Sequence, residues 1–320
     1  MSESNGLTAA RPVDSNPSGY LHPAYAASLS EFGSPRLLPH CGGWILERQI
    51  ANSDQLDAMG CYPLFACHDW SQLRIDLENI GTGGLVCLSV VTDPFGEYNP
   101  VDLSECFPEL ARPFKEHFVV DLSRAPETFI HSHHQRNVRK ALRELRVEVC
   151  DNPIDCLEEW TTLYAALVER HSIAGLTAFS RESFAKQLRV PGIVMLRALY
   201  NGATVGLLLW YEQGNRAYYH LGAYNSRGYE AGASFALFDY AIRYFAERGF
   251  GWLNLGSGAG VGTSGEQGLT RFKQGWSTGV RTAYFCGRVL NREAYRELVE
   301  TRGRSTTPYF PAYRVGEFSS

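Results

Sequence analysis

The sequence predicts an α/β (α+β) fold with a mixed, mostly antiparallel central sheet flanked by helices, and two features carry that prediction. Three β-rich runs, IVMLRALYNG, ATVGLLLWYEQG and NRAYYHLGAYN, are separated only by Asn201-Gly202 and Gly214-Asn215. Such dipeptides adopt the positive φ values of tight hairpin turns, so the three runs form an antiparallel meander. Helical patterns lie on both sides of it. In DCLEEWTTLYAALVERH, Leu157, Trp160, Tyr164, Leu167 and Val168 share one helical face, and in SFALFDYAIRYFAERG so do Phe235, Phe238, Ile242 and Phe245.

The remaining elements follow in chain order. Residues 1–35 are rich in Ser, Pro, Asn and Gly without a period, which predicts a flexible tail. Residues 36–120 carry short strand-like runs (WILERQI, CYPLFAC, GLVCLSVV) around DWSQLRIDLENI, where Leu73, Leu77 and Ile80 recur at helical spacing. They predict a small α/β module that ends after the surface loop DPFGEYNP. Residues 121–292 predict the main domain. Around the strand FKEHFVVDL come the basic helix HSHHQRNVRKALREL, the strand RVEVC, two helices, the meander, the loop SRGYEAGA and a long helix capped by Gly249. Ser180 is placed to cap the second of the two helices. The strand WLNLG, a glycine-rich loop, the short helix GLTRFKQGW and the strand RTAYFCGRVL complete the domain, and residues 293–320 read as a C-terminal tail.

Composition narrows the functional classes. With 320 residues, 44% hydrophobic and 20% charged, the chain is long enough for two packed modules. Its net charge of -4 argues against bulk attraction to nucleic acid or anionic membrane. No basic segment followed by an apolar run opens the chain, and no apolar run approaches the ~20 residues of a membrane span. A cytoplasmic protein is expected. Its scattered cysteines lack the spacing of a zinc site or a disulfide framework, which predicts buried free thiols. A Gly-x-Ser-x-Gly elbow is missing, and the glycine-rich stretch Gly256 to Gly265 lacks the Lys-Ser/Thr of a phosphate loop. That stretch reads as a mobile loop over a cleft.

The element order, together with Arg136 to Ala141 (RNVRKA), WLNLGSG and GLTRFKQGW, resembles the GNAT (Gcn5-related N-acetyltransferase) fold in its Fem-type variant, over residues 116 to 290. Two GNAT-like halves pack together in Fem-type proteins, so the resemblance implies that 36–120 is a smaller, reduced first half. It also implies an acyltransferase in which an amine attacks a thioester directly, with acetyl-CoA or another acyl-CoA as co-substrate and no metal. The strand Ala217 to Tyr224 would splay from its neighbour, and its backbone at Leu221 and Gly222 would hold the donor. The turn Ser226 to Ser234, with Arg227, Gly228, Gly232 and Ser234, would meet the pyrophosphate, because helix N-termini attract anions. Glu230 stands there where the usual pattern has glycine. Fem-type proteins use aminoacyl-tRNA, so charged tRNA is the alternative donor, and a non-catalytic binding module is a third reading. The expected acceptor is a small-molecule amine or amino sugar.

Single residues complete these expectations. The resemblance implies that Lys273 lies in the active cleft, where an ammonium stabilises a leaving group or a developing oxyanion; the alternative is a stem packed on Trp276. Tyr219 and His220 join it as the candidate catalytic group, His220 as a base of near-neutral pKa or as a structural histidine. Arg136 and Arg139, with Lys140 and Arg143, form a basic helical face that either grips phosphates or is merely solvated. Asn254 and Phe272 are candidate acceptor contacts. The cluster His131, His133 and His134 is given no metal role.

Overall fold

A computed structural model of the protein describes residues 16–173, 175–258, 264–304 and 306–317. In chain order the elements are α1 (Pro23–Ser28), β1 (Ser34–Leu38), β2 (Gly43–Gln49), β3 (Leu56–Gly60), α2 (Leu73–Gly81), β4 (Leu85–Val91), α3 (Pro100–Cys106) and β5 (Leu110–Asp121). Then come α4 (Ser132–Ala141), β6 (Leu145–Val149), α5 (Leu157–His171), α6 (Arg181–Gln187), β7 (Ile193–Tyr200), β8 (Ala203–Gln213), β9 (Arg216–Tyr224) and α7 (Ser226–Ala231). The last are α8 (Ala233–Glu247), β10 (Trp252–Asn254), α9 (Ser264–Gln274), β11 (Gly279–Val289) and α10 (Arg292–Thr301).

Two compact units arise, each assembled from several stretches. The first holds the described residues up to Gly19 with Glu116–Leu167 and Pro191–Val280. Its strands run in the order β5-β10-β9-β8-β7-β6. The meander forms as predicted: Asn201 and Gly202 take φ values of 49° and 83°, and Gly214 takes 60°. One face of this sheet packs Leu208 and Trp210 against Phe238, Ile242 and Phe245 of α8, with Trp276 in the same core. Ser180 caps α6 by accepting the Ser183 N–H at 3.0 Å, and Gly249, at φ 75°, follows the end of α8.

The second unit holds Tyr20–Lys115, Val168–Val190 and Arg281–Ser320, with strand order β1-β2-β3-β4-β11. Its core gathers Ile45, Phe65, Leu77, Leu88 and Phe107. The C-terminal stretch is no tail: Tyr295, Leu298 and Val299 of α10 pack with Val86, Ala294 and Tyr313. Those positions lie three and four apart, the spacing of a buried helical face, and the predicted tail overlooked them. Likewise α1 buries Tyr25 and Ala26 inside the predicted N-terminal tail, while residues 1–15 of that tail lie outside the described residues. All eight cysteines are free and buried, and burial pushes the Cys61 and Cys286 thiols up to about 12. Among the described residues no helix is long and apolar enough to cross a membrane.

Candidate active site

Among the described residues, β9 is paired to different extents on its two sides. On one side β9 pairs with β8 over its whole length, from Gly206↔Tyr224 to Gln213↔Arg216. On the other, its parallel ladder with β10 is confined to Trp252↔Arg216, Leu253↔Ala217 and Asn254↔Tyr218. Past that point the β10 chain follows β5 instead: Leu255 N–H donates to Phe118 O at 2.8 Å, and Phe118 N–H to Gly256 O at 3.1 Å. Tyr219 to Tyr224 therefore continue beyond the end of β10, where the resemblance expects a splayed strand.

A bulge decides which side chains face which way. Leu209 lies opposite Leu221, but Trp210 lies opposite Tyr219, so His220 is the extra residue of the β8–β9 ladder. Tyr219 packs on the α8 side, with ring centroids 5.6 Å from Trp210 and 5.3 Å from Phe238. Gly222 lies on that side too: a Cβ there would come 2.6 Å from Leu208 Cδ2 and 2.9 Å from the Tyr219 hydroxyl, so only glycine fits. His220 faces the opposite side, against the Tyr211 ring at 5.1 Å. Burial depresses its pKa to about 3, so the imidazole is neutral and too weak a proton acceptor for an ammonium near neutral pH. The expectation of a His220 base is corrected accordingly.

Lys273 and Asn254 both hold the turn that leaves β10. Lys273, buried near the end of α9, donates to the Ser257 carbonyl at 2.6 Å and lies 5.3 Å over the Tyr219 ring. A Cβ on Gly256 would sit 3.1 Å from Lys273 Nζ, and Gly256 has φ 74°, so glycine serves both backbone and ammonium here. Asn254 Oδ1 accepts the Gly256 N–H at 2.8 Å and lies 3.0 Å from His117 Nδ1. His117, a buried residue of β5, has no sequence signal, because its partner is 137 positions away. An amide oxygen only accepts, so His117 Nδ1 donates to Asn254. Part of the predicted glycine-rich loop, residues 259–263, lies outside the described residues.

The expected phosphate turn differs from the prediction. Ser226–Ala231 is helical, because Asn225 Oδ1 caps it by accepting the Gly228 N–H at 2.9 Å. Gly228 is consequently committed to the fold; a Cβ there would come 2.1 Å from Val205 O. Arg227 is engaged within the fold: it pairs with Glu144 at 2.6 Å and Glu230 at 3.5 Å, and lies 3.9 Å over Tyr200. The same contacts engage the Glu230 carboxylate. Gly232, in the left-handed conformation at φ 74°, ends α7 and begins α8, and no side chain caps that start. Ser234 occupies the first turn of α8. The N-terminal dipole of this helix is thus what remains of the predicted phosphate site.

Phe272, Arg136 and Arg139 do not join the strand opening. The Phe272 ring packs among His134, Phe235 and Phe238 at 5.5, 5.2 and 5.0 Å, as part of the core. His134, its pKa lowered by burial, makes a 2.9 Å hydrogen bond with the Phe272 carbonyl, which explains one member of the histidine cluster structurally. Arg136 and Arg139 are exposed on α4; Arg136 contacts His133 Nδ1 at 3.1 Å, and Arg139 Nε donates to Gln135 O at 3.3 Å.

Residues 132–274 match the family model of the acetyltransferase (GNAT) domain. Over this segment the chain is similar to GNAT acetyltransferase domains. Among solved structures the chain is similar to FemX, with TM-score 0.66 and 12% identity over 88% of this chain and 95% of that one. It is also similar to L-PGS from Bacillus licheniformis, with TM-score 0.58 and 15% identity over 89% and 98% of the two chains. At such identities these likenesses show that the fold is shared with those two structures. No curated protein matches the sequence. Lys273, Tyr219, Leu221, Gly222, Asn254, Gly232 and Ser234 all fall within the matched segment, whereas His117 lies just before it.

Proposed function

We propose that the protein transfers an acyl group from acetyl-CoA or another acyl-CoA to the amine of a small-molecule or amino-sugar acceptor by direct attack. The observation that carries this reading is the early end of the β9–β10 ladder, which leaves a strand edge for a thioester arm beside a buried lysine. The amine lone pair forms a C–N bond to the thioester carbonyl carbon. The carbonyl oxygen takes up negative charge, the C–S bond breaks, and the departing thiolate takes a proton. Lys273 is the cation for the charge on oxygen or sulfur, a contribution of about 3 kcal/mol where a preorganised donor meets an oxyanion. The proton that the amine must lose passes to that thiolate. The uncapped start of α8 at Gly232 and Ser234 suits a pyrophosphate.

A second reading, a transferase using aminoacyl-tRNA, is favoured by one observation: the exposed basic face of α4, with Arg136, Arg139 and Lys140, continued by Arg143 in the turn that follows, on a fold similar to FemX. Thermal unfolding with acetyl-, malonyl- and long-chain acyl-CoA separates the two. A ligand present at about 100 times its Kd adds about 2.7 kcal/mol to the native state and raises the midpoint by several degrees. Under our reading at least one thioester does so, and an amine then releases free thiol from it. No shift with any thioester, together with binding of aminoacyl-tRNA, would establish the second reading. A shift without thiol release from any amine would leave a binding module.

A further inference from the structure

The second unit contains a cavity of about 220 Å³ that the proposed reaction does not use. Most of its wall is apolar, including Met59, Tyr62, Val91, Phe285 and Phe310. One end is charged. There Arg48 Nη2 donates to both Glu317 oxygens, at 2.8 and 2.7 Å, and Arg314 Nη1 donates to the first of them at 2.6 Å. Arg314 is itself fixed by Asp57 through contacts of 2.6 and 2.7 Å, and Asp57 also accepts the Tyr313 hydroxyl at 2.8 Å.

The four charges differ in their freedom. The side chains of Arg48, Asp57 and Arg314 are 8%, 3% and 7% exposed, whereas Glu317 is 32% exposed and follows Gly316, whose φ is 87°. Asp57 holds Arg314, and Glu317 bridges Arg48 and Arg314 from the rim. Withdrawal of Glu317 would release the guanidinium donors of Arg48 and Arg314 that now hold its carboxylate. A buried charge in that state is costly until an anion replaces the lost one. Planar guanidinium forks match a carboxylate in particular. A cavity of about 150 Å³ holds benzene, so this one has room for a ring or short chain bearing a carboxylate.

We propose that this cavity binds a small monocarboxylate with an apolar body, and that Glu317 occupies the carboxylate position until the ligand displaces it. Phenylacetate is the probe, 2-phenylethanol its neutral counterpart, and isothermal titration calorimetry on the full chain the measurement. Glu317→Ala should bind phenylacetate at least tenfold tighter than the wild type does, and 2-phenylethanol at least tenfold more weakly than phenylacetate. With methyl-labelled methionine, phenylacetate should shift the Met59 resonance and leave Met195, a core residue of the other unit, unmoved. Should Glu317→Ala fail to fold, the acid-versus-alcohol comparison and the Met59 shift in the wild type decide the matter. Equal affinity for acid and alcohol, no gain on removing Glu317 from a folded variant, or a Met59 signal that phenylacetate does not move would each overturn the proposal.

Discussion

Each unit contains a parallel strand pair, and the two pairs end differently. In the second unit β3 and β4 pair at Leu56↔Leu85, Ala58↔Leu88 and Met59↔Ser89, and the bridge Phe65↔Thr92 prolongs the pairing. Phe65 N–H donates to Val91 O at 2.6 Å, and Asp93 N–H to Phe65 O at 2.9 Å. Glycines make this closure possible: a Cβ on Gly43 would meet the Phe65 ring at 2.6 Å, and one on Gly60 would meet Phe65 Cβ at 3.0 Å. In the first unit the corresponding chain is drawn away from β9 by Asn254 and Lys273, and among the described residues no bridge like that of Phe65 prolongs the ladder beyond Tyr218. The closed pair is scaffold. In the function we propose, the open pair offers backbone to the acyl donor, so one supersecondary arrangement would yield support or a site according to the course of the chain beyond its second strand.

The substitution expected to do most damage tests the open pair directly. Lys273→Met should lower kcat/KM about 10²- to 10³-fold while circular dichroism stays native, the cost of losing a preorganised positive donor; turnover within threefold of wild type would remove Lys273 from the chemistry.

His220 sharpens the contrast between the two faces of β9. Its folded pKa of about 3 lies below the ordinary 6.5, so between those values the unfolded chain holds the proton and the folded chain does not. Stability therefore falls as pH drops through that window, by up to about 5 kcal/mol. Urea unfolding from pH 7 to 3 should show a shallower loss in His220→Gln than in the wild type, with turnover near pH 7 changed less than twofold. The smallest effect is expected at the exposed Arg227: Arg227→Ala should leave KM for the acyl donor within twofold, and a larger rise would return the guanidinium to the donor site.

Much of the fold was legible because it is written locally. Asn201-Gly202, the periodic face of Phe238, Ile242 and Phe245, and Ser180 each act within a few residues, and each took its predicted role. The role proposed for Lys273 rests on the GLTRFKQGW resemblance; composition and spacing gave no sign that this lysine is buried. Three features escaped for physical reasons. A bulge such as that at His220 depends on the partner strand and leaves no mark on the strand's own alternation. Asn225 competes for the Gly228 N–H that the glycine pattern assigned to phosphate. His117 and Asn254 meet only because β5 and β10 become neighbours in the folded sheet.

Hydrogen exchange with and without acetyl-CoA tests the central claim most directly, because it reads the open and closed strand pairs in one experiment. Our account predicts added protection at Leu221 to Tyr224 and in the first turn of α8, with exchange at Ala58 to Phe65 unchanged. Protection at Ala58 to Phe65 without any at Leu221 to Tyr224 would contradict it.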